Sequence, residues 1–181
     1  MSLIITTQPS AEPVTLAEAK ARLKLTSTAD DTAITGYIVS AREFAERVSR
    51  RSLAQKVYKA YFDRFPSPGT PLRIPAPPLV SVATVKYLDS ALVLQTWDSA
   101  EYFVAANQEP GLILPKPSNV YPSAAWMPDS VEVQFMAGAG TERTWWNQVR
   151  TSVLNIVVYL FDHPGQEIPE NLVQIPKVYV F

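Results

Sequence analysis

The sequence predicts an α+β protein, with a helical core built from two N-terminal helices and one C-terminal helix and a small antiparallel β lobe inserted between them. Three observations carry this. In Asp31 to Arg51, the apolar residues Ile34, Tyr37, Ile38, Ala41, Phe44, Ala45 and Val48 recur at three- and four-residue steps, one stripe of an α-helix. A comparable stripe returns only more than ninety residues later, in Trp145, Val149, Val153, Ile156, Val157 and Leu160. Between them the apolar period falls to about 2, broken by proline-rich turns, as in short antiparallel strands. The division this implies is residues 1–53 and 141–181 for the helical core with its terminal arms, and residues 54–140 for the inserted lobe.

Residues 1–12 read as an extended arm. Pro13-Val14-Thr15-Leu16-Ala17-Glu18 then starts a helix: Thr15 is the N-cap, and Glu18 lies at the position from which each residue satisfies the other's backbone donor. Leu16, Ala19 and Leu23 give this helix a narrow stripe, and Thr26-Ser27-Thr28 ends it by competing for backbone hydrogen bonds. The long helix spans roughly 30 Å, with Asp30 or Asp31 as its cap, arginines at its end, and Ser40, Arg42, Glu43, Glu46, Arg47 and Arg50 on its outward face.

Strands follow at Lys56–Phe65, Leu72–Ile74, Val80–Leu88, Leu92–Thr96, Tyr102–Ala105, Gly111–Leu114 and Ser130–Ala137. In the last, Val131, Val133 and Phe135 face one way while Glu132 and Gln134 face the other. The late helix runs from Thr144 or Trp145 to about Phe161, apolar enough all round to require more than one covering neighbour, and His163-Pro164-Gly165 stops it. The final stretch, Ile168 to Phe181, holds Pro169 and Pro176 and stays β-prone and apolar. There is no internal repeat.

A length of 181 residues suffices for one full core, or for a small core with an inserted lobe. At 47% hydrophobic, 18% charged and a net charge of −1, the chain has no field that would by itself hold a nucleic acid or an anionic membrane. The absence of cysteine excludes disulfides and thiolate metal sites, and with no signal peptide or long apolar run it predicts a product made and assembled inside the cell, with no membrane role. Sixteen prolines against six glycines predict stiff, extended connections.

Catalysis needs a nucleophile or acid–base group beside a partner that tunes it, and the residues offer little. The single histidine, His163, reads better as a C-terminal helix cap than as a base or metal ligand. Asp30-Asp31 is explained by capping. Met136-Ala137-Gly138-Ala139-Gly140-Thr141 superficially suggests a phosphate-binding loop, but no Gly-Lys-Ser/Thr follows, so a tight strand-to-helix turn is the better reading. No enzyme, cofactor or metal site is expected. Trp97, Tyr102, Phe103, Tyr121 and Trp126 are open to two readings, a sugar or peptide platform or the filling of a thin β lobe. Arg47, Arg50, Arg51, Lys56 and Lys59 form the main basic group, either a solvated helix end or a surface that meets phosphate or an acidic partner.

Three patterns occur in a recognisable order: Pro13-Val14-Thr15-Leu16-Ala17-Glu18-Ala19-Lys20 before a helix opening on Asp-Asp; Pro77-Pro78-Leu79-Val80-Ser81-Val82 leading to Val85-Lys86-Tyr87-Leu88-Asp89; and Val131 through Gly140 before an apolar helix. Together they make roughly residues 10–165 resemble the head–tail connector (adaptor) proteins of long-tailed phages and of gene transfer agents. The chain departs from that pattern after the long helix, where Arg50-Arg51-Ser52-Leu53 stands in place of a glycine-arginine pair. It also has Val57-Tyr58 where a tryptophan is common, and Ala139 where the glycine turn usually carries an aromatic.

The resemblance implies a structural subunit, present in about twelve copies as a closed ring beneath the portal protein. Such a ring extends the channel through which double-stranded DNA passes, non-specifically, and presents a surface to a stopper or tail-terminator protein. It implies a place in the neck of a virion or phage-like particle, assembled in the host bacterial cytoplasm. Within that role Arg47, Arg50 and Arg51 are candidates for facing the DNA channel or a partner. Val173, Ile175, Val178, Tyr179, Val180 and Phe181 are candidates for an interaction arm that adds a strand or fills a groove in a neighbour; the alternative is that this tail covers the last helix. The competing functional class is a carbohydrate- or peptide-binding module using the lobe's aromatics.

Overall fold

The computed structural model describes residues 1–141 and 143–178, and within them the fold is α+β, with three α-helices and antiparallel sheets. It divides into two compact units: a β unit of Met1–Gln8 and Gln55–Gly138, and a helical unit of Pro9–Ala54 and the described residues from Ala139 onward.

In the helical unit, α1 (Leu16–Leu23) begins with the predicted reciprocal cap: the Thr15 hydroxyl accepts from the Glu18 N–H at 3.3 Å, and the Thr15 N–H donates to Glu18 Oε2 at 2.8 Å. It stops where Lys24 turns into the left-handed region at φ 58°. Helix α2 (Asp31–Ser49) and helix α3 (Trp146–Asp162) follow. One apolar cluster draws on all three helices: Ala19 from α1; Ile34, Ile38, Ala41, Ala45 and Val48 from α2; and Val149, Val153, Ile156 and Val157 from α3. Each buried Val or Ile contributes about 1.5–3 kcal/mol. Ala41 and Ala45, both fully buried, keep that stripe of α2 narrow.

Three expectations are corrected here. The Asp30 side chain makes no capping bond; Asp31 instead forms an ion pair with Lys20 at 2.6 Å, tying the start of α2 to α1. Only one stripe of α3 is fully buried, and Leu154, Leu160 and Phe161 pack against the cluster half-exposed. The largest departure is Arg42, which the periodicity put outside but which is 2% exposed. Its guanidinium reaches Glu12 at 2.7 Å and Glu46 at 2.9 Å, with Glu43 at 3.5 Å. Burial works against the cation, but the hydrogen bond with Glu12 and the charges of Glu46 and Glu12 outweigh it and hold Arg42 above its ordinary pKa. Glu46 also accepts from the Leu53 N–H at 2.9 Å, so the network reaches the segment that follows α2.

The β unit contains β1 (Ser2–Thr7), β2 (Lys56–Phe62), β3 (Leu72–Ile74), β4 (Leu79–Leu88), β5 (Leu94–Trp97), β6 (Tyr102–Ala105), β7 (Gly111–Pro115) and β8 (Val131–Ala137). They form a five-stranded sheet in the order β1-β2-β8-β4-β5 and a three-stranded sheet β3-β7-β6, antiparallel throughout. Strand β8 alternates as predicted, burying Val131, Val133, Phe135 and Ala137. Its register sets Phe135 opposite Tyr58 of β2, and the two rings stack at 5.4 Å. Both sheets feed a single apolar cluster, through Ile74 and Ile113 from the smaller and Val85, Val133 and Phe135 from the larger. Strand β7 passes close under β4: a Cβ on Gly111 would lie 2.5 Å from Leu79, so no larger residue fits there. The first residues, read as an arm, form β1 and pair with β2, a partner some fifty positions away.

Thr15→Ala is expected to cost about 1 kcal/mol of stability in thermal or urea unfolding, the usual loss on removing an N-cap. The pKa of Glu18 is lowered, first by the Thr15 N–H and further by the Thr15 hydroxyl and by Arg150, with which it forms an ion pair. A depressed carboxylate contributes stability above its unfolded pKa and loses it as the pH falls through the folded value. Glu18→Gln should therefore flatten the acid limb of the stability profile below the ordinary carboxylate range and leave the neutral-to-basic limb parallel to that of the parent.

Arg42→Ala leaves Glu12 and Glu46 without their cation and should cost about 3 kcal/mol, the range for breaking a buried ion pair from one side. Arg42→Lys, a point charge without the planar fork, should recover only part of that loss in the same unfolding measurement.

Candidate partner-facing surface

The described residues contain no group of three or more His, Cys, Asp or Glu side chains placed to hold a metal ion. His163 sits at the end of α3, where its N–H donates to the Tyr159 carbonyl at 2.8 Å and its ring stacks on Tyr159 at 4.6 Å. Just after β8, Gly138 has φ 145°, a conformation suited to glycine, and its N–H donates to the Pro78 carbonyl at 3.0 Å.

The basic group at the end of α2 divides. Arg47 and Arg50 are exposed, and neither has a carboxylate partner among the described residues; Arg47 lies over the Phe44 ring at 5.0 Å, and Arg50 ends the helix at φ 56°. Arg51 turns inward, 7% exposed, with Nε donating to the Pro176 carbonyl at 2.8 Å and its guanidinium over the Trp145 ring at 4.6 Å. Arg47, Val48 and Arg50 line a cleft of about 290 Å³ together with Glu170 and Lys177. The last two pair at 3.6 Å with both side chains largely in solvent. The described residues lining the cleft thus bring three cations against one carboxylate. Lys177 and Glu170 lie more than a hundred positions from Arg47, and no local pattern links them.

The same folding arranges the tail. Val173 packs half-buried against the helical cluster and Ile175 is part of it, while Val178 is buried and donates its N–H to the Ser49 carbonyl at 3.1 Å. The Gln174 N–H donates to the hydroxyl of the fully buried Ser152 at 2.9 Å. The tail as far as Val178 is therefore tied to its own helical unit, with the Ile175 side chain in the apolar cluster there. Tyr179, Val180 and Phe181 lie outside the described residues.

The five aromatics read as a possible platform also separate. Trp97 and Tyr102 are buried with ring centroids 4.7 Å apart, and Tyr121 packs against Trp97 at 5.6 Å and hydrogen-bonds the Ile113 and Thr70 carbonyls. Phe103 is exposed beside Lys116, and Trp126, 86% exposed, has Arg64 at 5.5 Å from its ring. The rings of Trp97 and Tyr102 are core material and Tyr121 packs partly buried against them, so of the five only Phe103 and Trp126 present exposed rings.

Comparison with known proteins bears on this surface. Residues 13–85 match the family of phage gp6-like head–tail connector proteins. No curated protein matches the chain in sequence. Among solved structures, the fold is similar to a chain in the neck of an empty gene transfer agent (GTA) particle computed with C6 symmetry, with a TM-score of 0.79 at 17% identity over 100% of this chain and 98% of that one. It is similar to a chain in the virion of a native GTA particle, at 0.76 and 18% with the same coverage. A chain in the neck of a native GTA particle computed with C12 symmetry gives 0.69 at 15%, again covering 100% and 98%. Residues 13–85 thus carry the pattern of the phage gp6-like head–tail connector proteins, and the whole chain has the fold found in the neck of GTA particles.

Proposed function

We propose that this chain is a structural connector subunit in the neck of a phage or phage-derived particle. Copies of it form a ring of twelve beneath the portal protein, extend the DNA channel, and dock a stopper or tail-terminator protein. The observation that carries this reading is the coincidence of the connector family match with a fold shared along the full chain with GTA neck structures, one of them computed with C12 symmetry. In this role the three helices are the bundled core of each subunit and the β unit is the lobe set into it. Assembly takes place in the host bacterial cytoplasm. The work of such a subunit is association rather than catalysis.

A DNA channel has to let the duplex slide, and a net charge of −1 avoids the counterion-release affinity that a strongly basic lining would create. Within that balance Arg47 and Arg50, with Lys177, supply a local cationic cleft for duplex phosphates or for an acidic partner segment. Arg51 serves this surface indirectly by fixing the Pro176 carbonyl and with it the approach of the tail. The apolar end Tyr179, Val180 and Phe181 is the interaction arm, and Val173, Ile175 and Val178 hold its base on the helical unit.

Electron microscopy of particles from cells that make this protein should show it as a ring at the neck; filled and tailed particles lacking the chain would overturn the reading. Arg47→Gln with Arg50→Gln, both at exposed positions at the helix end, should cost no more than about 1 kcal/mol each in folding stability while lowering the yield of tailed, DNA-filled particles.

Deletion of residues 179–181 should weaken binding to the portal or stopper protein in a pull-down with the helical content by circular dichroism unchanged. Full ring formation and undiminished portal binding by that truncated chain would refute the arm.

A further inference from the structure

The larger sheet ends on two borders of unusual chemistry. Strand β1 reads Ser-Leu-Ile-Ile-Thr-Thr, every residue exposed, with Ile4 at 53%. It stays in regular register with β2 from Ser2 to Ile5, and its one irregularity falls between Ile5 and Thr7. At the opposite border β5 reads Leu-Gln-Thr-Trp and follows Leu92 and Val93; Leu92, Val93 and Leu94 are all exposed, Leu94 at 58%. An edge strand presents a row of unpaired N–H and C=O groups, and a protein that stays alone blunts it with lysine, proline or a short, twisted strand. Neither β1 nor β5 contains a charged residue or a proline; β5 is short, at four residues, but carries an exposed apolar run at its start, and β1 is regular over its apolar residues.

The connectivity adds a direction. From β1 through β2, β8 and β4 to β5 the sheet takes four antiparallel steps, so its two borders run the same way. A closed ring of more than two copies repeats one heterologous contact, in which a patch on one subunit meets a different patch on the next. The rotation between neighbours in a many-membered ring is small, so like-directed borders meet side by side in parallel.

We propose that β5 of one copy pairs in parallel with β1 of a second copy of this chain, joining the sheets from subunit to subunit. The inference rests on the ring reading above and names its junction. A second copy is the occupant because, among the described residues, neither border has a further strand paired to it: an unlike partner needs one open edge, whereas a contact that repeats around a ring consumes one border of each kind per subunit. A two-fold dimer would instead lay β1 against β1 antiparallel.

The chain has no cysteine, so introduced thiols are the only ones on it. Particles should be purified from cells making the Ile4→Cys/Leu94→Cys chain and treated with a short bis-maleimide. The expected result is a ladder of covalent oligomers, with neither single-cysteine chain giving one. Separately, Leu94→Lys should keep the thermal midpoint of the parent and lose the ring. Dimers from Ile4→Cys alone would overturn the proposal in favour of a two-fold contact. A ring at the neck with no bridging in the double variant would overturn it while leaving the connector role intact, and absence of the chain from particles would overturn both.

Discussion

The apolar seam between α2 and α3 is the constraint from which the rest of the helical unit follows. Neither stripe can stay in water, since Ile34, Ile38, Val48, Val149, Val153 and Ile156 together represent many kcal/mol of burial, and α1 is too short to cover either. The chain therefore has to return after a long excursion. The ends of that excursion are fixed on both sides. In the helical unit the Ala139 N–H donates to the Ser52 carbonyl at 3.0 Å; in the β unit Lys56 lies opposite Ala137 in the β2–β8 ladder. Entry and exit strands are hydrogen-bonded neighbours, so an insertion of some eighty residues costs the helical core little more than closing a short loop.

Four arginines of one local stretch show how position in the fold decides what a charge does. Arg42 is drawn into the interior because Glu12 and Glu46 converge on its fork, a buried network satisfied on several sides. Arg51 spends its donor on a backbone carbonyl and its planar face on Trp145. Arg47 and Arg50 remain in solvent, and with Lys177 they make a cationic surface that no one of them would make alone. Near-neutral total charge and local cationic character are compatible because the cations are divided between structure and surface.

Several side chains that invite a functional reading are engaged in folding: His163 closes a helix against Tyr159, Asp31 holds α1 to α2, and the aromatic group centred on Trp97 fills the β unit. What stays exposed is apolar edge strand, a cationic cleft and single aromatics such as Trp126. These features suit contact with other macromolecules. The similarity to gp6-like connectors and to chains of GTA necks is a similarity to proteins of assemblies.

What the sequence by itself determined is whatever depends on neighbours a few positions away. The capping of α1 by Thr15 and Glu18, the stripe of α2, the alternation of β8 and the limits of β3 and β6 were all legible, because helix and strand periods are local properties. What only the tertiary structure decided are pairings between distant residues: β1 with β2, Arg42 with Glu12, Arg47 and Arg50 with Glu170 and Lys177, and the tail with Ser49 and Ser152. Periodicity says which face of an element is apolar but carries no information about what comes to meet it. For that reason a buried arginine read as a surface one and a sheet edge read as an arm, and of the two readings open for the tail, an interaction arm or a cover for the last helix, only the fold could show that it is tied down as far as Val178.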